Sequence, residues 1–238
     1  MLADKRIGRV FARLHVNKAL IICHGLPYEP GSVVEKGYSE LARYFSRRGT
    51  PTLIFDFSGT GLSEGFFSLK SWVEDVVTLS KEFEEVHILG YSMGGSVAVR
   101  AAVDIENLRK LVVVASPCCA EMFNENILKL IYENARMKNL LRGIGSFENF
   151  RSIFVREFSE IEPIKWIEDV KVEKLIVHGR KDEIVPFENG TTLYEMAREP
   201  KAFAEVVEGD HFLRQNEKVT ALISDWLQGK IKEKRIRI

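Results

Sequence analysis

Residues 86–103 read VHILGYSMGGSVAVRAAV. An apolar run ends at Gly90, Ser92 follows inside the pattern G-x-S-x-G, and small residues continue at helical spacing. Random placement of 15 serines and 17 glycines in 238 residues would give about 0.08 such patterns per chain, so the pattern alone is moderately specific. Its neighbours decide the reading. A buried strand before the pattern and a helix after it predict a sharp strand-to-helix corner with Ser92 at its tip. A residue there is held in a strained backbone conformation that lifts its side chain off the sheet. Side chains two positions to either side would collide, which accounts for Gly90 and Gly94. Gly95 and Ser96 let the helix run close to the strand. The helix start points free N–H groups and its positive dipole end at the hydroxyl, favouring negative charge. Ser92 is thus placed to attack.

Outward from this corner the chain alternates. KALIICHG and TPTLIFDF are short and apolar, with YSELARYFSRRG at helical spacing between them. LKSWVEDVVTLSKEFEE precedes the corner, and RKLVVVASP, EKLIVHG, a helix near 188–198, AFAEVVEGD and a helix near 216–228 follow it. Strands without polar alternation are buried on both faces, so the pattern predicts an α/β fold with a mostly parallel central sheet and helices on both sides. IGRVFARLHV, at 7–16, does alternate and reads as an antiparallel edge strand. Residues 117–168 carry helical patterns and no strand, and read as a short helical cap inserted in a single domain, 1–238. Within it Phe147, Phe150, Phe154 and Phe158 share one helix face. That stripe either packs the cap onto the sheet or lines an acyl pocket.

Composition narrows the function classes. Basic and acidic residues balance at 34 each, so no overall field favours nucleic acid or an anionic membrane. The basic end KIKEKRIRI reads as a solvated tail. No apolar run reaches the length of a membrane span, and the first residues lack the apolar block of a signal peptide. Three cysteines, with Cys118 and Cys119 adjacent and not expected to bridge, argue against a secreted disulfide framework; the expectation is a cytoplasmic protein. No H-E-x-x-H, C-x-x-C pair or P-loop occurs, so neither a metal nor a cofactor is expected.

With these motifs the chain resembles the α/β-hydrolase superfamily, particularly its esterase, lipase and peptidase-like members, over nearly its whole length from IICHG to GDHF. A serine hydroxyl needs a base to take its proton. Of five histidines, His211 in EGDHFL follows the last strand, where the superfamily carries its base, and the chain order Ser, Asp or Glu, His agrees; His24 ranks behind it. The base needs an acid to fix its tautomer. Asp182 in LIVHGRKDEIVP follows a buried strand and resembles the superfamily's G-x-x-D-x-x-V-P loop, with Glu183 its neighbour and competitor. Asp210 adjoins His211, and adjacent side chains rarely point the same way. The oxyanion of a tetrahedral intermediate needs two backbone donors. One is the N–H of Met93; the resemblance to the family's His-Gly motif implicates the N–H of Leu26 as the other. FDFSGTGLSEG, 55–65, resembles the family's D-x-R-G-x-G-x-S loop, with Ser58 where arginine is common; Asp56 reads as an anchor and Gly59 and Gly61 as turn formers.

The resemblance implies a serine hydrolase for carboxylic esters, whose partner is a small acyl substrate; a short cap with apolar inner faces predicts a closed pocket and so a preference for short-to-medium acyl chains. Alternatives on the same residues are aminopeptidase-like, acyltransferase or perhydrolase chemistry, or a fold that binds a small molecule without catalysis. Oligomeric state is not legible.

Overall fold

The computed structural model describes the backbone of residues 2–7 and 10–15 and the full chain at 17–27 and 37–238. Seven strands form one sheet: β3 (Lys18–Cys23), β4 (Thr52–Ile54), β5 (Glu85–Tyr91), β6 (Leu108–Val114), β7 (Glu173–Gly179), β8 (Lys201–Val206) and β9 (Arg235–Arg237), ordered β4-β3-β5-β6-β7-β8-β9. Every adjacent pair is parallel. The other two strands, β1 (Leu2–Ile7) and β2 (Val10–His15), pair antiparallel with each other as a separate two-stranded sheet. The alternating opening segment is therefore half of a hairpin and not an edge of the main sheet. Each of its strands finds hydrogen-bond partners in the other, so neither needs the main sheet. Positions 8, 9 and 16 of that expected strand lie outside the described residues.

Burial explains why the central strands are apolar at both parities. Ile21, Cys23, Ile88, Val113 and Ile176 enter one core cluster; Leu20, Ile22, Leu89, Val112, Val114, Leu175 and Val177 enter the other. Successive side chains of a strand point to opposite faces, so each face needs its own cover. Helices α2 (Leu69–Ser80), α3 (Met93–Ala102) and α7 (Glu188–Met196) cover the first. Helices α1 (Ser39–Arg47) and α8 (Glu217–Leu227) cover the second. The basic tail is not simply solvated. Its Ile236 and Ile238 pack against the second cluster, and β9 hydrogen-bonds beside β8, because two isoleucines in RIRI alternate with arginines that stay outside.

Between β6 and β7 lie α4 (Glu125–Met137), α5 (Phe147–Ile161) and α6 (Pro163–Trp166), with short 3₁₀ turns at Ala120–Met122 and Ile167–Asp169. Asn124 and Ser146 cap α4 and α5 through their side chains. Phe150, Phe154 and Phe158 are fully buried and continue the first core cluster, Phe67 touching Phe150 and Phe123 touching Phe154 and Phe158. The phenylalanine stripe thus packs this segment onto the sheet. A buried carboxylate fastens it to α2, Glu157 accepting the Leu69 N–H, and a second, Glu162, closes the segment on itself by accepting the Ala120 N–H. Arg142 ties it to the 58–66 loop by donating to the carbonyls of Thr60, Gly61 and Gly65.

Candidate active site

The parallel register brings the carboxyl ends of β3, β5, β7 and β8 to one edge, pairing Cys23 with Gly90 and Gly179 with Val206. Ser92 sits between β5 and α3 with φ 51° and ψ −126°, a conformation unfavourable for a residue with a Cβ. The surroundings enforce it. A Cβ at Gly90 would stand 2.6 Å from Gly95 Cα, and one at Gly94 would strike the backbone carbonyls of Cys23 and His24. A Cβ at Gly95 would lie 2.7 Å from Ser116, so α3 approaches β6 as closely as a glycine permits.

Two further loops meet Ser92 at this edge. The Ser92 hydroxyl donates to His211 Nε2 at 3.0 Å, and His211 Nδ1–H donates to Asp182 Oδ2 at 2.9 Å. These roles follow because a carboxylate only accepts. Asp182 Oδ1 in turn accepts the N–H groups of Ile184 at 3.0 Å and Val185 at 2.8 Å. Burial opposes the charge on Asp182, but donors from His178, His211 and the Val185 amide hold its carboxyl well below the usual aspartate range. Glu183 is exposed, and Asp210 is turned to the Phe212 amide. Phe212, 42% exposed, flanks the His211 ring at 5.9 Å.

The β3 loop closes the site from the other side. A Cβ on Gly25 would lie 2.9 Å from Ser92 Cβ and 3.5 Å from its hydroxyl, so the chain carrying Leu26 passes directly against Ser92. Met93 opens α3, where the first amides have no partner within the helix. His24 does not reach Ser92. Its Nδ1–H donates to the Gly25 carbonyl at 2.6 Å and its Nε2 accepts the Phe57 N–H at 3.1 Å, so both nitrogens are occupied in one neutral tautomer. Burial pushes its pKa down to about 4. The 55–65 loop stays outside the constellation: Asp56 accepts the Leu62 N–H, Gly59 and Gly61 take positive φ, and Ser58 binds Asp75 where the family's arginine is common.

Sequence reasoning missed three features here. His178 stands behind Asp182, and its place at a strand end carries no signal of that contact. Asn189 bridges the Asp182 loop to the chain after β6, donating to the Pro186 carbonyl and accepting the Cys118 N–H. Cys118 and Cys119 are joined by a disulfide, contrary to expectation. The pair lies in the irregular segment between β6 and the Ala120–Met122 turn. The cysteine count therefore loses its weight as an argument about compartment. Among the described residues no helix is long and apolar enough to cross a membrane, and no group of three or more His, Cys, Asp or Glu stands where it could hold a metal.

Comparison with known proteins adds the following. A model described as the alpha/beta hydrolase family matches residues 20–170. An uncharacterized protein, YfhR, of Salmonella typhimurium is 26% identical over 182 residues, covering 72% of this chain and 58% of the relative. A proline iminopeptidase of Clostridium botulinum is 24% identical over 155 residues, covering 61% and 50%. The chain thus spans only about half to three-fifths of these relatives. Among solved structures, the monoacylglycerol lipase of Paleococcus ferrophilus superposes with TM-score 0.69 at 19% identity, covering 89% of this chain and 94% of the lipase. Mouse alpha/beta hydrolase domain-containing protein 10 gives TM-score 0.69 at 17% identity, covering 97% and 100%. At these identities the structural likeness speaks for the fold alone.

Proposed function

The chain belongs to the alpha/beta hydrolase family, and from that premise we propose that it is a serine hydrolase cleaving carboxylic esters of short-to-medium acyl chains. The observation that carries this reading is the relay from Ser92 Oγ through His211 to Asp182, at 3.0 and 2.9 Å. His211 Nε2 takes the hydroxyl proton as Ser92 Oγ bonds to the ester carbonyl carbon. Asp182 holds the imidazole in the required tautomer and balances the imidazolium. The amides of Met93 and Leu26 receive the oxyanion. Collapse expels the alcohol, which leaves with the proton from His211. Water, deprotonated by the same nitrogen, then releases the acid and restores Ser92.

Chain-length preference follows from reading the segment between β6 and β7 as a cap. Its ties through Glu157 to α2 and through Arg142 to the 58–66 loop favour a pocket of fixed depth over an open groove. Each buried acyl CH₂ contributes about 0.8 kcal/mol until such a pocket is full.

The proline iminopeptidase relatives favour a second reading, removal of an amino-terminal residue. A peptidase of that kind must hold a cationic amino group. The buried carboxylates of the cap, Glu157 and Glu162, are already engaged by backbone N–H groups of this chain, which supports the ester reading over it.

The test is a fluorophosphonate probe together with p-nitrophenyl esters from acetate to palmitate and proline p-nitroanilide, on wild type and Ser92→Ala. Labelling at Ser92 alone and a rate maximum at short-to-medium chains are expected. Equal labelling of Ser92→Ala refutes the serine mechanism. Rates rising steadily to palmitate refute the closed pocket, and a preference for the anilide selects the peptidase.

A further inference from the structure

His178 is the last residue of β7 before Gly179 and is 1% exposed. Its Nε2 lies 2.9 Å from the Val185 carbonyl and 3.5 Å from Asp182 Oδ2. A carbonyl only accepts, so Nε2 carries the proton and Nδ1 is left as the acceptor. That Nδ1 has no hydrogen-bond partner among the described residues. It faces Gly190 of α7, where a Cβ would come within 2.6 Å of it, and the Phe187 ring stands perpendicular to the imidazole with the ring centres 6.0 Å apart. A buried polar atom without a partner is a net loss for folding, which an apolar side chain of similar shape would avoid. An imidazole in this place is explained by what its other nitrogen holds.

That nitrogen holds the acid loop. The Val185 peptide is fastened on both sides, its N–H to Asp182 Oδ1 at 2.8 Å and its carbonyl to His178 at 2.9 Å. Asp182 Oδ2 receives His211 at 2.9 Å while the His178 N–H faces the same oxygen at 3.5 Å. Resting on the hydrolase reading above, we propose that His178 is a positioning residue: its Nε2–H clamps Val185 and braces the Asp182 carboxylate in line for His211. The ionisable groups against the clamp are Asp182 in its own loop and His211 across that carboxylate; Phe187, just before α7, and Gly190 within it face the ring. The same N–H helps to keep Asp182 charged in its buried setting.

Two substitutions separate positioning from packing. His178→Leu keeps volume and removes the donor; His178→Gln keeps a donor within reach of Val185. With His178→Leu, kcat on p-nitrophenyl butyrate should fall about 10- to 100-fold while KM stays within about twofold, because a misplaced catalytic group loses rate and not substrate binding. The proton on His211 Nδ1, deshielded by its bond to a buried carboxylate, should lose its far-downfield NMR resonance. His178→Gln should recover most of both. Should His178→Leu fail to fold, His178→Asn, whose amide is too short to reach Val185, takes its place with the same expectation. Wild-type kcat and resonance in the donor-free variant, whatever its melting temperature, overturn the proposal, and so does a glutamine that restores neither. The resonance needs no substrate. A wild type that hydrolyses nothing and resists fluorophosphonate therefore sinks the hydrolase reading, while the resonance of the His178 variants still decides whether the clamp exists.

Discussion

Replacing Phe154 by alanine tests whether the phenylalanine stripe packs the cap or shapes the acyl pocket. Phe154 is 0% exposed, with ring centres of Phe123, Phe150 and Phe158 at 4.9, 5.6 and 5.9 Å. Its removal forfeits the transfer of a whole ring and leaves a cavity among rings that relax poorly, a loss of about 3–5 kcal/mol. The three ring contacts argue for the upper half of that range. In a domain of this size each kcal/mol moves the melting temperature by about 2–4 °C, so Tm should fall by roughly 8–20 °C. Calorimetry measures that fall, and the ester panel, run well below both melting temperatures, measures selectivity. The chain-length profile should keep its shape, since Phe150 and Phe158 belong to the buried cluster and the half-buried Phe123 packs against it. Val155→Ala, on the outer side of α5 at 47% exposure, is the control and should change stability by about 0.5 kcal/mol or less. A shift of the optimum toward longer chains with Tm within about 2 °C of wild type would refute the packing argument.

Two further outcomes are expected. Ser92→Ala and His211→Ala should each lower kcat on p-nitrophenyl butyrate by several orders of magnitude, the double variant should be little worse, and Asp182→Asn should lose about 10⁴-fold; near-normal Asp182→Asn turnover would mean that another group orients His211. His24 binds a proton near pH 6.5 in the unfolded chain and only near pH 4 when folded, so acid favours unfolding across that window and its burial should remove about 3 kcal/mol as pH falls from 7 to 4. Urea unfolding of wild type and His24→Gln should show this as a difference that declines with falling pH, because His87, also held down to about 4, is present in both and cancels. A pH-independent difference contradicts the assignment of a neutral buried His24.

Local signals carried much of the reading. The alternation of buried strands and amphipathic helices, and the glycine-fenced corner at Ser92, depend on residues a few positions apart, where the periods of strand and helix act directly on sequence. The resemblance to the family's acid loop and to the place of its base then singled out Asp182 and His211, and the structure brings both to Ser92 because parallel strands end at one edge. What periodicity cannot state is which partner a face meets. The alternating opening segment paired with its own neighbour and left the sheet, whereas the basic tail joined it. The phenylalanine stripe showed one shared face in sequence, but only packing turned that face to the core. Cys118 and Cys119 are bridged although adjacency alone argued against it. His24 and His178 look alike in the chain, each followed by glycine at a strand's end. One spends both nitrogens on backbone and the other leaves one bare to hold Val185, because hydrogen-bond partners 7 and 33 residues away are chosen by the assembled fold and not by the neighbours along the chain.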